Sequence, residues 1–162
     1  MKRYSWKYIA GLVDGEGCID MQGSRDKRDG KFYCSPRFRM TLSGEAGNYL
    51  LPQFHSNFGG SVKIKPRKFE NPNWQDAYTW CIVGKKQLRK FLQNIFNHLY
   101  IKKEQAKFCL WWINNIQGKH QVTEEVRRCA IEELKAMKRD PHRLSDSAVH
   151  RIYGLMRQSG ET

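Results

Sequence analysis

The chain has 162 residues, and its 29 Lys and Arg outweigh 16 Asp and Glu, a formal charge of +13. A hydrophobic fraction of 40 % supplies a core and excludes general disorder, while no apolar run approaches the roughly 20 residues that span a bilayer. Such a positive excess repels itself and calls for a polyanionic partner, nucleic acid first, with a merely basic, solvated protein as the plain alternative.

In chain order, the spacing predicts a short helix over residues 6–14 with Ser5 as N-cap, apolar at 6, 9, 10, 12 and 13 and therefore buried on more than one face. Gly15 and Gly17 end it. Residues 18–22 read as extended, 23–31 as a polar turn, and 32–42 as extended again, with Phe38, Met40 and Leu42 alternating against Arg37, Arg39 and Thr41, so the three together form a long hairpin. Residues 45–58 have helical spacing despite Pro52, and Gly59-Gly60 breaks that helix. A strand over 61–65, a loop over 66–76 and a strand over 77–83 follow, the last with Tyr78, Trp80 and Ile82 facing the core. Helices are predicted over 85–96, 105–116, 124–138 and 147–157, with a break at Pro141.

The order α-β-β-α-β-β-α, with further C-terminal helices, predicts an α+β fold: four antiparallel strands with helices on one face. The whole of residues 1–162 is expected to be one domain, with a core over about 5–116 and a helical extension over about 120–160. The free face of the sheet carries Arg37, Arg39, Thr41, Lys63, Lys65, Thr79 and Cys81. A basic open face of this kind can lie on a nucleic-acid groove. Membrane-surface binding is disfavoured, because the basic residues are not gathered on one amphipathic helix.

The five cysteines are odd in number and no C-x-x-C occurs, and the histidines form no close pair, which argues against a disulfide framework or a zinc ribbon. The N-terminus, Met1-Lys2-Arg3-Tyr4-Ser5-Trp6, lacks the apolar stretch of a secretory leader. The chain is therefore expected to be intracellular and not secreted.

The sharpest local signal is Tyr8-Ile9-Ala10-Gly11-Leu12-Val13-Asp14-Gly15-Glu16-Gly17. Gly11 and Gly15 share one helix face, where two backbones can approach closely. Asp14 and Glu16 stand at the C-terminal, electronegative end, where an acid calls for a compensating cation. The plainer reading is a capped helix with solvated acids and a glycine-rich turn.

This decapeptide resembles the motif of the LAGLIDADG homing endonucleases, with Ile9 in place of the first Leu and Ala10-Gly11 matching. The resemblance extends to the element order over residues 5–116. It implies that motif helices from two copies pack together through Ala10, Gly11, Val13, Asp14 and Gly15. It also implies that Glu16, helped by the Gly15 carbonyl, binds a divalent metal at the centre of the DNA: Mg2+, with Mn2+ able to substitute. Asp14 would structure the motif end rather than react. Only one motif is present, so the resemblance implies a C2 homodimer acting on a pseudo-palindromic double-stranded DNA site, as an intron-encoded phosphodiester hydrolase.

In Tyr100-Ile101-Lys102-Lys103-Glu104-Gln105-Ala106, the resemblance assigns Lys102 to the phosphate. Where the family often has a water-positioning Gln, this chain has Ser43-Gly44-Glu45, leaving that role between Ser43 and Glu45. DNA contacts are expected from Arg37, Arg39, Thr41, Lys63, Lys65 and Thr79 on the strands, and from Arg25, Lys27, Arg28, Lys31, Arg67 and Lys68 in the loops. A non-cleaving relative, acting as an intron RNA maturase or a DNA-binding regulator, is the alternative function.

Overall fold

The structure, a computed structural model, describes residues 4–67, 71–118 and 122–160. In chain order the elements are α1 (Trp6–Glu16), β1 (Gly17–Arg25), β2 (Phe32–Ser43), α2 (Gly44–Phe58), β3 (Ser61–Lys65) and β4 (Ala77–Ile82). They are followed by α3 (Lys85–Ile95), a 3-10 turn (Phe96–His98), α4 (Lys103–Asn115), α5 (Glu124–Arg139) and α6 (Ser145–Gln158). The strands form a four-stranded antiparallel sheet in the order β1-β2-β4-β3, so the α+β expectation holds. Among the described residues no helix is long and apolar enough to cross a membrane.

The chain divides into two compact units, Met1–Cys18 with Arg37–His98, and Ile19–Pro36 with Leu99–Thr162. In the first, α1 starts where the Ser5 side chain accepts a hydrogen bond from the Tyr8 amide at 3.2 Å. Ile9, Ala10 and Val13 are fully buried. Alternation along β2 buries Phe38 and Met40, and β4 adds Trp80 and Ile82 to the same core. An aromatic cluster fills it: Phe38, Phe54 and Phe91 lie 5.3, 5.5 and 5.3 Å from the Trp80 ring. The indole N–H, which burial would otherwise orphan, donates to the Gly59 carbonyl at 2.8 Å.

In the second unit β1 runs on to Arg25, through residues expected to turn. Gly23 explains the difference. A Cβ there would lie 2.4 Å from the Phe32 ring and 2.8 Å from Ile131, so the glycine serves close packing within the strand rather than a turn. Helix α5 is capped by Thr123, and its first turn is acidic and its last basic, as the helix dipole favours. Helix α6 begins at Ser145, two residues early, because the Glu104 carboxylate on α4 accepts from both the Ser145 amide and its hydroxyl at 2.8 Å.

Glu133 on α5 is 1 % exposed and bridges Arg143 at 2.6 Å and Arg151 at 2.8 Å. Both arginines keep access to water, which limits the loss when the pair is broken. Glu133→Gln should therefore cost about 2 kcal/mol, less than the ~3–5 kcal/mol of a fully buried pair. In thermal unfolding that is a Tm lower by about 4–8 °C; an unchanged Tm would remove this network from the stability of the helical unit.

Candidate functional site

Glu16 closes α1, and Gly17 then starts β1. No basic residue stands in the last turn of α1, and Glu16 is exposed. The helix end therefore gathers a carboxylate and terminal backbone carbonyls, all hard oxygen donors that suit a divalent cation. Among the described residues no group of three or more His, Cys, Asp or Glu is placed to hold a metal ion. Glu16 therefore stands at the end of α1 with no second His, Cys, Asp or Glu cluster around it among the described residues. The buried thiols are unsuited to the task. Burial pushes Cys34 up to about 12 and raises Cys109 still further, so both are protonated at neutral pH.

The α1 surface differs in part from the expectation. Ala10 and Val13 are 0 % exposed in the single chain. Tyr8, Gly11 and Gly15, at i, i+3 and i+7, are exposed, and Leu12 beside them is half-buried, as is Asp14. A Cβ on Gly11 or Gly15 would meet nothing within 4 Å. Glycine in a helix costs roughly 0.5–1 kcal/mol relative to alanine, and no close packing among the described residues accounts for either one. Tyr8 and Leu12 escaped the sequence reading because α1 is apolar on both faces.

The strand register sets the free face of the sheet in rows. Arg39 pairs with Cys81, which pairs with Ser61; Thr41 pairs with Thr79, which pairs with Lys63; Ser43 pairs with Ala77, which pairs with Lys65. With Arg37 and Arg39 on β2, the outward positions of β2, β3 and β4 hold four cations and no carboxylate. Lys63 and Lys65 are exposed, whereas Arg37 and Arg39 are half-buried. The Thr41 and Thr79 hydroxyls bond each other at 2.9 Å, which fixes their rotamers at the middle of this face.

The β1–β2 loop is less available than its composition suggested. Arg25 forms a two-pronged contact with Glu124, at 2.9 and 3.0 Å, and also donates to the Gly30 carbonyl at 2.7 Å. Arg28 is bound to Asp26 at 2.9 Å, and this hydrogen bond holds the Asp26 carboxyl below its usual range. Arg25 and Arg28 are thus paired within the chain, while Lys27 and Lys31 are exposed. The tip is pinned further by Arg127, which donates to the Phe32 carbonyl and lies over the Tyr33 ring at 4.7 Å.

At the end of the sheet where β1 begins, β2 finishes at Ser43 and β4 starts opposite it at Ala77. Gly44 has φ +65°, and a Cβ there would lie 2.0 Å from the Gln75 amide oxygen. The glycine therefore admits both the left-handed turn into α2 and the seating of Gln75. Ser43 and Glu45 are exposed, and Gln75 joins them as a third polar side chain at this end. It came from a loop whose closure depends on Asp76, which accepts from the Gly44 amide through its backbone carbonyl and from the Arg67 amide through its side chain. Arg67 is half-buried in that loop. Lys68 lies outside the described residues.

Lys102, in the second unit, is the N-cap residue of α4, its carbonyl accepting from the Ala106 amide at 3.0 Å. It follows Tyr100, which is 91 % exposed, and precedes Lys103 at the electropositive helix start.

A family model described as LAGLIDADG endonuclease matches residues 9–112. Among solved structures, the homing endonuclease I-CvuI, in complex with the I-CreI target in the presence of 2 mM Mg with the DNA not cleaved, aligns at TM-score 0.68. It is 18 % identical over 97 % of this chain and 95 % of that one. I-TnaI, a homing endonuclease, aligns at TM-score 0.60 with 21 % identity, covering 98 % and 99 % of the two chains. I-GzeII in complex with its DNA target aligns at 0.61 with 15 % identity, but this chain covers only 50 % of that chain. Comparison with curated proteins finds no match.

Proposed function

Since the chain belongs to the LAGLIDADG endonuclease family, we propose that it is an intron-encoded homing endonuclease that cuts both strands of a long pseudo-palindromic DNA site as a homodimer. The observation that carries this reading is the pairing of an exposed Glu16 with an open, glycine-lined α1 face. One chain presents a single reactive carboxylate, and two phosphodiesters must be broken. A second copy packed on Gly11 and Gly15 brings a second Glu16 to the same axis. Near full-length coverage of I-CvuI and I-TnaI, against half of I-GzeII, supports a chain that is one of two equivalent halves.

Glu16 and the Gly15 carbonyl would hold Mg2+, or Mn2+ in its place, with DNA phosphates and the partner copy completing the shell. The bound ion supplies Lewis-acid stabilisation of the phosphate and a more acidic water. Lys102 offers a fixed positive charge to the phosphate oxygens as negative charge builds on them. Ser43, Glu45 and Gln75 are the polar groups able to orient water at the end of β2. The acid-free rows of the sheet, with Arg37, Arg39, Lys63 and Lys65, track the DNA. Lys27, Lys31 and Arg67 extend that contact, and Arg25 and Arg28 can join it only by exchanging a carboxylate for a phosphate. The protein would act in the DNA-containing compartment of its host.

Lys102→Ala tests the phosphate role. Single-turnover cleavage at saturating protein should slow by ~10²-fold, with DNA affinity changed much less. An unchanged cleavage rate would reject it. Strand cutting that needs Mg2+ supports the enzyme, whereas tight binding without any cut at any divalent ion would favour a non-cleaving nucleic-acid-binding protein.

A further inference from the structure

A site-specific endonuclease must read sequence as well as hold DNA, and the strand order of the sheet divides that work. In the order β1-β2-β4-β3, β2 and β4 are inner strands and β3 is an edge. Neighbouring strands lie about 4.8 Å apart, so β3 stands ~7 Å from the midline between β2 and β4. The major groove of DNA is about 12 Å wide, or ~6 Å to either side of its own midline. With the sheet laid along the groove, side chains of β2 and β4 meet base edges on the floor, and those of β3 meet the phosphate wall.

Along β2, buried Phe38 and Met40 alternate with Arg37, Arg39 and Thr41, which share the outer face. Both arginines are half-buried, whereas Lys63 and Lys65 on β3 are exposed, so burial follows the same division between floor and rim. Positions two residues apart stand ~6.8 Å apart along a strand, the length of two base-pair steps of about 3.4 Å. A guanidinium carries N–H donors and no acceptor. In the major groove guanine alone presents two acceptors, O6 and N7, with no donor beside them. Adenine and cytosine each present a donor there, and thymine a single acceptor beside its methyl group. Further along the inner strands, Thr41 and Thr79 bond each other at 2.9 Å. Hydroxyls both donate and accept, so this row fits any base edge.

We infer that Arg37 and Arg39 are the specificity-determining residues of the sheet, an inference that rests on the endonuclease reading. Each reads one guanine, on either strand of the duplex, and the two guanines lie two base pairs apart in every half-site. Arg37 is the farther from the end of β2 at Ser43 and takes the outer guanine, and Arg39 takes the inner one. The Thr41–Thr79 row, two base pairs further toward the centre, tolerates all four bases. Lys63, opposite Thr79 on the edge strand, contacts a phosphate and carries no sequence information.

The test is selection of bound duplexes from a randomised library by the full chain, without divalent ion. Wild-type sites should carry the two guanines in each half, separated by one base pair, each preferred ~10-fold over the other bases. Arg39→Gln should turn the inner guanine to adenine, whose N6 and N7 pair with a glutamine amide, and leave the outer guanine unchanged. Arg37→Gln should do the reverse. Arg39→Lys should keep guanine at the inner position with a weaker preference, which a misfolded variant would not do. Lys63→Gln should weaken all sequences alike and lower the slope of log affinity against log salt by ~0.9 per chain, with the consensus unchanged. A wild-type consensus without the guanine pair, an Arg39→Gln variant that weakens every sequence equally, or a Lys63→Gln variant that changes the consensus would overturn the assignment and leave the endonuclease reading standing. Bound duplexes with no shared sequence would remove the site-specific reading itself, and the assignment with it.

Discussion

If Glu16 holds the metal as proposed, Glu16→Gln should retain DNA binding within ~3-fold while cleavage falls by ~10³-fold or more, because the change removes a charge and almost no surface. Glu16 is exposed at the end of α1, so amide for carboxylate leaves the packing of Ile9, Ala10 and Val13 untouched and Tm should not move. The loss must therefore appear in the chemical step. Single-turnover kinetics at saturating protein, with binding measured in Ca2+ or without divalent ion, separates the two. A variant that cuts within tenfold of the wild-type rate would remove Glu16 from the metal site, and one that fails to bind would make it a DNA contact.

The second large effect concerns Gly11. A Cβ there meets nothing within 4 Å among the described residues, and leucine should stabilise α1 in the monomer by about 0.5–1 kcal/mol, since leucine is the better helix former. Between two α1 helices the same side chain holds the backbones apart. Gly11→Leu should thus give an unchanged or higher Tm, a monomer in sedimentation at micromolar concentration, and cleavage reduced by ~10²-fold or more because each DNA site then meets one half of the centre. A stable dimer with full activity would show that the open glycine face is not the dimer contact.

Much of this architecture is legible from local pattern. Alternation in residues 37–42 and 61–65 places Phe38 and Met40 inward and the cations outward, because the period of a strand depends on nothing beyond the strand. What the pattern hides is contact across the sequence. Arg25 reads as a loose loop cation until Glu124, 99 residues away, pairs with it. The start of α6 depends on Glu104, 41 residues earlier. Ala10 and Val13 could not be sorted from Gly11 and Gly15 as interface residues, since which apolar face of α1 meets the core is decided by β2 and α3. Gln75 sat in a loop of prolines, asparagines and one tryptophan, and its only local clue was the glycine at 44 on the other side of the turn. Lys102 stands out through the resemblance alone, since a lysine before a helix carries no signal of its own.

As the proposed half of a two-fold centre, the chain should cut DNA at sites with matching symmetry. Selection of cleaved sites from a randomised double-stranded DNA library, incubated with the wild-type protein and Mg2+, reads activity and symmetry together. The predicted result is a family of cut sites with two related half-sites about one centre, recovered with Mg2+ and lost in EDTA. Cut sites without two-fold symmetry, or a library left intact by a protein that still binds DNA, would contradict it.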